Sequence, residues 1–234
     1  MASVVDICNL ALSNLGDTAT VSSIDPPEGS AQAEHCARWY PIARDALLEM
    51  HDWSFASRRA LLALLENPVS QWRYCYAAPV DMVNPISVLP PEADSDMVIP
   101  ASLPQTSTPT WPESYWMPIP NTAAAPQEFA VESSATGAPV IYTNQEGALL
   151  RYTSRDVDPT RFSPLFVRTL AASMSSMLAG PLLKGDAGMA AAARWQGIAF
   201  GADARGGLFL QAATSDANQR TTRPRNVQPA AWSR

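Results

Sequence analysis

Two histidines and three cysteines are all this chain has of the residues that bind soft metals or run thiol chemistry. His35 and His51 stand sixteen residues apart. Neither has a carboxylate or cysteine at metal-ligand spacing, so the sequence predicts no metal centre. No phosphate-binding loop, no GxGxxG and no GxSxG occurs, which removes the common nucleotide and nucleophile-elbow signatures. No run of eighteen apolar residues occurs, and no membrane contact is expected. The start carries Asp6 and no basic stretch followed by an apolar block, so no signal peptide is expected. Charged residues are scarce at 16%, and the formal net charge is −6. A nucleic-acid grip needs clustered Lys and Arg, so the balance argues against a DNA-binding module.

What is present is a core-building composition, 47% hydrophobic, and 21 prolines, most concentrated in the middle of the chain, where nine fall between Pro90 and Gln127. Cys8, Cys36 and Cys75 each fall within an apolar pattern and read as reduced core thiols made in a cytosol. Ser3–Leu15 reads as a first helix, with Ser3 and Asp6 as a capping box and Gly16 at the C-terminal cap. Asp25-Pro26-Pro27-Glu28 reads as the start of the next helix, capped by Asp25. That helix is the most periodic stretch. Ala33, Cys36, Tyr40, Ala43, Leu47 and Met50 step by three and four along one face. Trp39, Ile42 and Ala46 form a second stripe, predicted to pack on another neighbour. Glu34 and Arg38 are spaced as an ion pair. Pro41 lies inside the pattern, where a kink is expected. Ser57–Leu65 reads as a short third helix.

From Gln71 the period changes to two. Trp72, Tyr74 and Tyr76 alternate with Arg73, Cys75 and Ala77, and Met82–Leu89 follows as a second strand. Pro90 to Gln127 holds nine prolines, too many for a helix or a central strand. It reads as a long irregular excursion carrying Trp111, Tyr115 and Trp116. Phe129–Glu132, Val140–Thr143 and Ala148–Thr153 are three more strands, with Asn144–Gly147 predicted as a hairpin turn between the last two. Ser163-Pro164 opens a long helix, Leu165–Leu178, ended by Gly180-Pro181. Its small residues, Ala171 to Ala179, suggest surfaces for neighbouring subunits. Asp186 is the predicted cap of a last helix, running toward Phe209. Thr214–Arg234 is polar and carries four arginines against the single acid Asp216, a charge of +3 against −9 on residues 1–213.

The fold class that follows is mainly α with an inserted β part. Residues 1–70 and 155–213 form a helical bundle from both chain ends. Residues 71–154 form a small antiparallel β domain with the Pro-rich loop 90–127, and 214–234 is an extended C-terminal tail.

Catalytic sets are thin. His51 beside Asp52 reads as a helix-end hydrogen bond. Glu66, Asp81, Glu92, Asp94 and Asp96 are the acids a glycosidase pair would draw on, and they read as solvated loop carboxylates. No cofactor is expected.

Tyr40-x-x-x-Arg44-Asp45-x-Leu47-Leu48-x-x-His51-x-Trp53-x-Phe55-Ala56 resembles the N-terminal signature of the head-to-tail adaptors of short-tailed bacteriophages, the tail tubular protein A family. Members often read His-Pro-Trp where this chain has His51-Asp52-Trp53. Tyr74-x-Tyr76-x-x-Pro79-x-Asp81, Val140-Ile141-Tyr142-Thr143-Asn144, Leu149-Leu150-Arg151-Tyr152, and Phe162-x-Pro164-Leu165-Phe166-Val167 with Pro181-Leu182 are similar to it as well. The resemblance implies a structural virion protein, made in the host cytoplasm, and not an enzyme. It implies a ring, usually dodecameric, between the portal protein and the tail nozzle protein, with DNA passing through the lumen without specific binding. On that reading Arg220, Arg223, Arg225 and Trp232 are candidate portal-binding residues. Trp111, Tyr115 and Trp116 are candidate subunit-interface residues. The rival expectation is a tail-associated cell-wall hydrolase.

Overall fold

A computed structural model describes residues 2–91, 126–201 and 206–220. The described residues divide into two compact units. The first takes those of Met1–Ala56 and Asp156–Arg234, and the second those of Ser57–Arg155.

The first unit is helical: α1 (Val4–Asn14), α2 (Ala31–Glu49), α3 (Pro164–Leu183), α4 (Gly185–Phe200) and α5 (Leu208–Arg220). The capping box of α1 forms as the sequence predicts. Asp6 N–H donates to Ser3 Oγ at 3.1 Å, and Ser3 N–H donates to Asp6 Oδ2 at 2.9 Å. Gly16 follows the helix at φ +79, a conformation glycine adopts without Cβ strain. The predicted helix start at Asp25 is not formed. The Asp25–Pro26 bond is cis, and the cap of α2 is Ser30, whose Oγ accepts from Ala33 N–H at 3.2 Å. Glu28 turns back instead, accepting from the backbone and hydroxyl of Ser22.

α2 continues through Pro41 and buries Ala33, Cys36, Tyr40, Ala43, Leu47 and Leu48. Met50, predicted to end this stripe, is instead 52% exposed. The second stripe does not pack as predicted either: Ile42 is 51% exposed, Ala46 is exposed, and Trp39 is half-buried. The ion pair on this helix is Arg44–Asp45 at 2.8 Å in place of Glu34–Arg38.

α3 is the centre of the unit, packing on α1, α2, α4 and α5. Ser163 caps it and Pro164 occupies its first turn. The small residues Ala171, Ala172, Ser173, Ser175 and Ala179 are all buried within the chain, so they are not the subunit surface the sequence suggested. They let partners approach closely. The Ser175 hydroxyl lies 2.7 Å from the Ala171 carbonyl and 3.1 Å from that of Ala11, and accepts from Asn14 Nδ2 at 3.1 Å. This joins α1 to α3. Gly180-Pro181 does not end α3, which runs to Leu183 and turns at Lys184, φ 55. Pro181 costs α3 one backbone bond, close to an end where orphan carbonyls occur anyway. No side chain caps α4; Asp186 sits in its first turn. The predicted last helix is two helices, broken at Gly201, φ 91. Residues 208–220 are helical, so the chain is not extended from 214 as expected.

The second unit holds β1 (Ser57–Leu61), β2 (Leu64–Leu65), β3 (Tyr74–Ala77), β4 (Met82–Leu89), β5 (Phe129–Ser133), β6 (Pro139–Thr143) and β7 (Leu149–Ser154). The predicted helix 57–65 is therefore a pair of strands. Nine apolar-rich residues without a cap give a weak helix signal, and pairing with β7 overrides it. The sheets are β1-β7-β4 and β2-β3-β6-β5, all antiparallel where paired. Asn144–Gly147 is not a hairpin turn, because β6 and β7 belong to different sheets. It is one of the crossings between them, as is the short connection from β3 to β4. Another is Leu62-Ala63, where Leu62 N–H donates to Ala148 O at 3.0 Å and Ala77 N–H donates to Ala63 O at 2.9 Å. On the far side Gln127 N–H donates to Val88 O at 2.8 Å, joining β4 to the approach of β5. The pairings thus run in a closed circuit around one interior of Leu62, Tyr76, Val88, Ile141, Leu150 and Tyr152. Closure removes much of the free edge that two small sheets would otherwise expose.

Candidate functional site

The exit of α2, His51-Asp52-Trp53-Ser54-Phe55, gathers the helical unit. Trp53 is fully buried and donates from Nε1 to Leu47 O at 2.7 Å. Around it stand His51, edge-on at 4.8 Å between ring centroids, Phe55 stacked at 5.6 Å, Phe166 edge-on at 4.8 Å and Phe209 at 6.1 Å. Phe162 meets both Phe55 and Phe166. Offset and edge-on aromatic pairs of this kind each add about 0.5–1.5 kcal/mol beyond their buried area. The cluster ties the end of α2 to the starts of α3 and α5.

One acid completes it. Asp216, on α5, is only 6% exposed. Both its oxygens accept from Ser54 N–H at 3.1 Å, and its Oδ1 accepts from the Ser54 hydroxyl. His51 Nε2 lies 3.4 Å from its Oδ2, an ion pair when the imidazole is protonated. Serine, histidine and aspartate are thus side by side, but the wiring is not that of a nucleophilic triad. There the serine hydroxyl must give its proton to the imidazole. Here it donates to the carboxylate. The arrangement is a fastener between α2 and α5. Sequence reasoning does not find it: His51 beside Asp52 reads as a helix-end hydrogen bond, and Asp216 as the lone acid of a polar tail. No local pattern marks Asp216, since its partners are 162 residues away.

Asp81 is the second organised carboxylate. It accepts from Ser154 Oγ at 2.6 Å, Tyr152 OH at 3.0 Å and Arg58 Nη1 at 3.1 Å. Arg155 N–H donates to its backbone carbonyl at 2.7 Å. Burial raises its pKa, but the Ser154 and Tyr152 hydroxyls, its own backbone and the Arg58 charge outweigh this and hold it below the usual 3.8. Such a group stays ionised and suits a structural knot better than a general acid. It is not the solvated loop acid the sequence suggested. Glu66 is exposed. Glu92, Asp94 and Asp96 lie outside the described residues.

Cys8, Cys36 and Cys75 are buried free thiols. Contact with Cys36 and burial push the Cys8 thiol far up. Burial likewise pushes Tyr40 up to about 12. Among the described residues no group of three His, Cys, Asp or Glu side chains is placed to hold a metal. α3 is long and apolar enough by composition to cross a membrane, yet 56% of its window is buried as the central helix of its unit.

Of the predicted contact residues, Arg220 ends α5. Arg223, Arg225 and Trp232 lie outside the described residues, as do Trp111, Tyr115 and Trp116. The excursion that carries the last three leaves and returns at neighbouring points, Val88 and Gln127. No family model matches the sequence, and no curated protein matches it.

Proposed function

We propose that this chain is a structural virion protein, a head-to-tail connector of a short-tailed bacteriophage. It forms a ring between the portal protein and the tail nozzle protein and extends the DNA channel. The observation that carries this reading is the convergence of the residues behind the resemblance. His51, Trp53 and Phe55 stand more than a hundred residues from Phe162 and Phe166, and all five meet in one aromatic cluster. Tyr74, Tyr76 and Asp81 serve the β unit in the same way, two lining or flanking its interior and one knotting three strands. Motif residues that build a scaffold, and do not converge on a reactive cleft, suit a protein whose work is assembly.

In this reading the Arg-bearing segment after α5 meets the portal, and the excursion between β4 and β5 meets neighbouring subunits. The net charge of −6 keeps DNA from adhering to the channel. Mass photometry of the chain mixed with a portal protein of a short-tailed bacteriophage tests the proposal. The expected result is a ring near twelve subunits, bound to portal, together with no clearing of a cell-wall suspension. A chain that stays monomeric with portal present, or that clears cell walls, overturns it.

A further inference from the structure

A cleft of about 640 Å³ opens between the start of α1, the loop 22–27 and the middle of α2. Val4, Val5, Ile24 and Pro27 give it apolar walls. The loop wall is held in place by the chain itself. Asn9 exchanges two hydrogen bonds with the Val21 backbone, at 3.0 and 2.7 Å, and Ser23 Oγ donates to Pro26 O at 2.8 Å.

The cleft is short of hydrogen-bond donors. Tyr40 lines it and is only 5% exposed, and its hydroxyl has no hydrogen-bond partner. An unpaired buried hydroxyl is costly to a fold. Pro41 has no N–H to give the Ala37 carbonyl four residues back, and both residues line the same cleft. The Asp25 carboxylate stands exposed at the rim and makes no hydrogen bond or ion pair with any described residue. The cation of the cleft, Arg44, is already given to Asp45 at 2.8 Å. Residues 1–56 hold eight acids and two arginines, a charge of −6. Charge and missing donors therefore select a basic occupant.

We infer that this cleft takes a lysine or arginine side chain, flanked by apolar residues, from an extended segment of a partner protein. The basic head donates to the Asp25 carboxylate, the Ala37 carbonyl and the Tyr40 hydroxyl oxygen. Arg44, whose guanidinium stands 5.8 Å over the Tyr40 ring, swings aside to admit it, repelled by the like charge. The flanking residues lie against Val4, Val5 and Ile24. Those walls favour a peptide over a free amine, since a bare amine leaves them wet. The site does not rest on the connector reading, and its test needs no portal.

Dye-labelled six-residue peptides, each with Arg or Lys between Val, Leu or Pro, are titrated into the full chain and followed by fluorescence anisotropy. At least one should bind saturably, and norleucine or Glu in place of its basic residue should weaken binding at least tenfold. Tyr40→Phe and Asp25→Lys should each weaken it several-fold at an unchanged melting temperature, because neither removes a hydrogen bond within the chain. Saturable binding by no peptide, equal binding of basic and Glu peptides, or unchanged affinity in both variants overturns the inference. So does competition by spermidine or arginine amide as tight as the peptide's own binding, which would make this a site for free amines.

Discussion

At the scale of the residue, Asp81 shows how one carboxylate organises a small β unit. Three donors from two strands converge on it, Arg58 from β1 with Tyr152 and Ser154 from β7. Its folded pKa is below 3.8, so it adds stability that is fully present well above 3.8. That stability is lost as pH falls through 3.8 toward the folded value. Asp81→Asn should therefore cost about 1 kcal/mol near neutrality, since it leaves the partly buried Tyr152 and Ser154 hydroxyls poorly matched. The gap between wild type and variant should narrow when denaturation is repeated near pH 3. A gap that does not change with pH would mean the charge is irrelevant. Asp216 works differently, as a fastener across 162 residues of sequence. Nothing near it in the chain announces that role.

At the scale of the element, α3 and α4 pack so tightly that two glycines four residues either side of Lys184 behave oppositely. A Cβ at Gly188 would stand 2.9 Å from the Ala179 carbonyl, on rigid helix backbone. One at Gly180 would meet nothing within 4 Å. Gly188→Ala should thus destabilise the protein by about 1–3 kcal/mol through overpacking. Gly180→Ala should stabilise it by up to about 1 kcal/mol, as helix propensity favours alanine. Urea titrations of the two variants check the pair, and equal signs would show the α3–α4 approach to be looser than described. The periodicity of α1, α2 and α3 was legible because each buries one clear face. Ser57–Leu65 misled because its apolar residues suit both periods and the arbiter, β7, lies about ninety residues on.

At the scale of the whole molecule, two truncations separate the fastener from the segment beyond it. Ending the chain after Arg220 keeps α5 and its Asp216 contacts. Ending it after Ala213 removes Asp216 and leaves Ser54 without its acceptor. The first variant should melt within a few degrees of the full chain yet fail to join the portal. The second should melt well below both, since loss of a buried charged acceptor and half a helix costs several kcal/mol. Differential scanning calorimetry decides. Equal melting of the two truncations would make α5 dispensable to the fold.

The sequence by itself determined the local matters: the capping box at Ser3, the buried stripe of α2, the alternation at Tyr74 and Tyr76, the burial of three thiols, and a β part between two helical ones. Each depends on neighbours within a turn or a strand, where spacing and side-chain type carry the energy. Tertiary structure alone decided the rest. It made strands of Ser57–Leu65 and turned Asn144–Gly147 into a crossing between sheets. It kept α3 helical past Gly180-Pro181, left one stripe of α2 uncovered by the described residues, and sank Asp216 against Ser54. These outcomes depend on which distant backbone supplies a hydrogen bond and which distant face excludes water, and a single chain read in order holds no record of either.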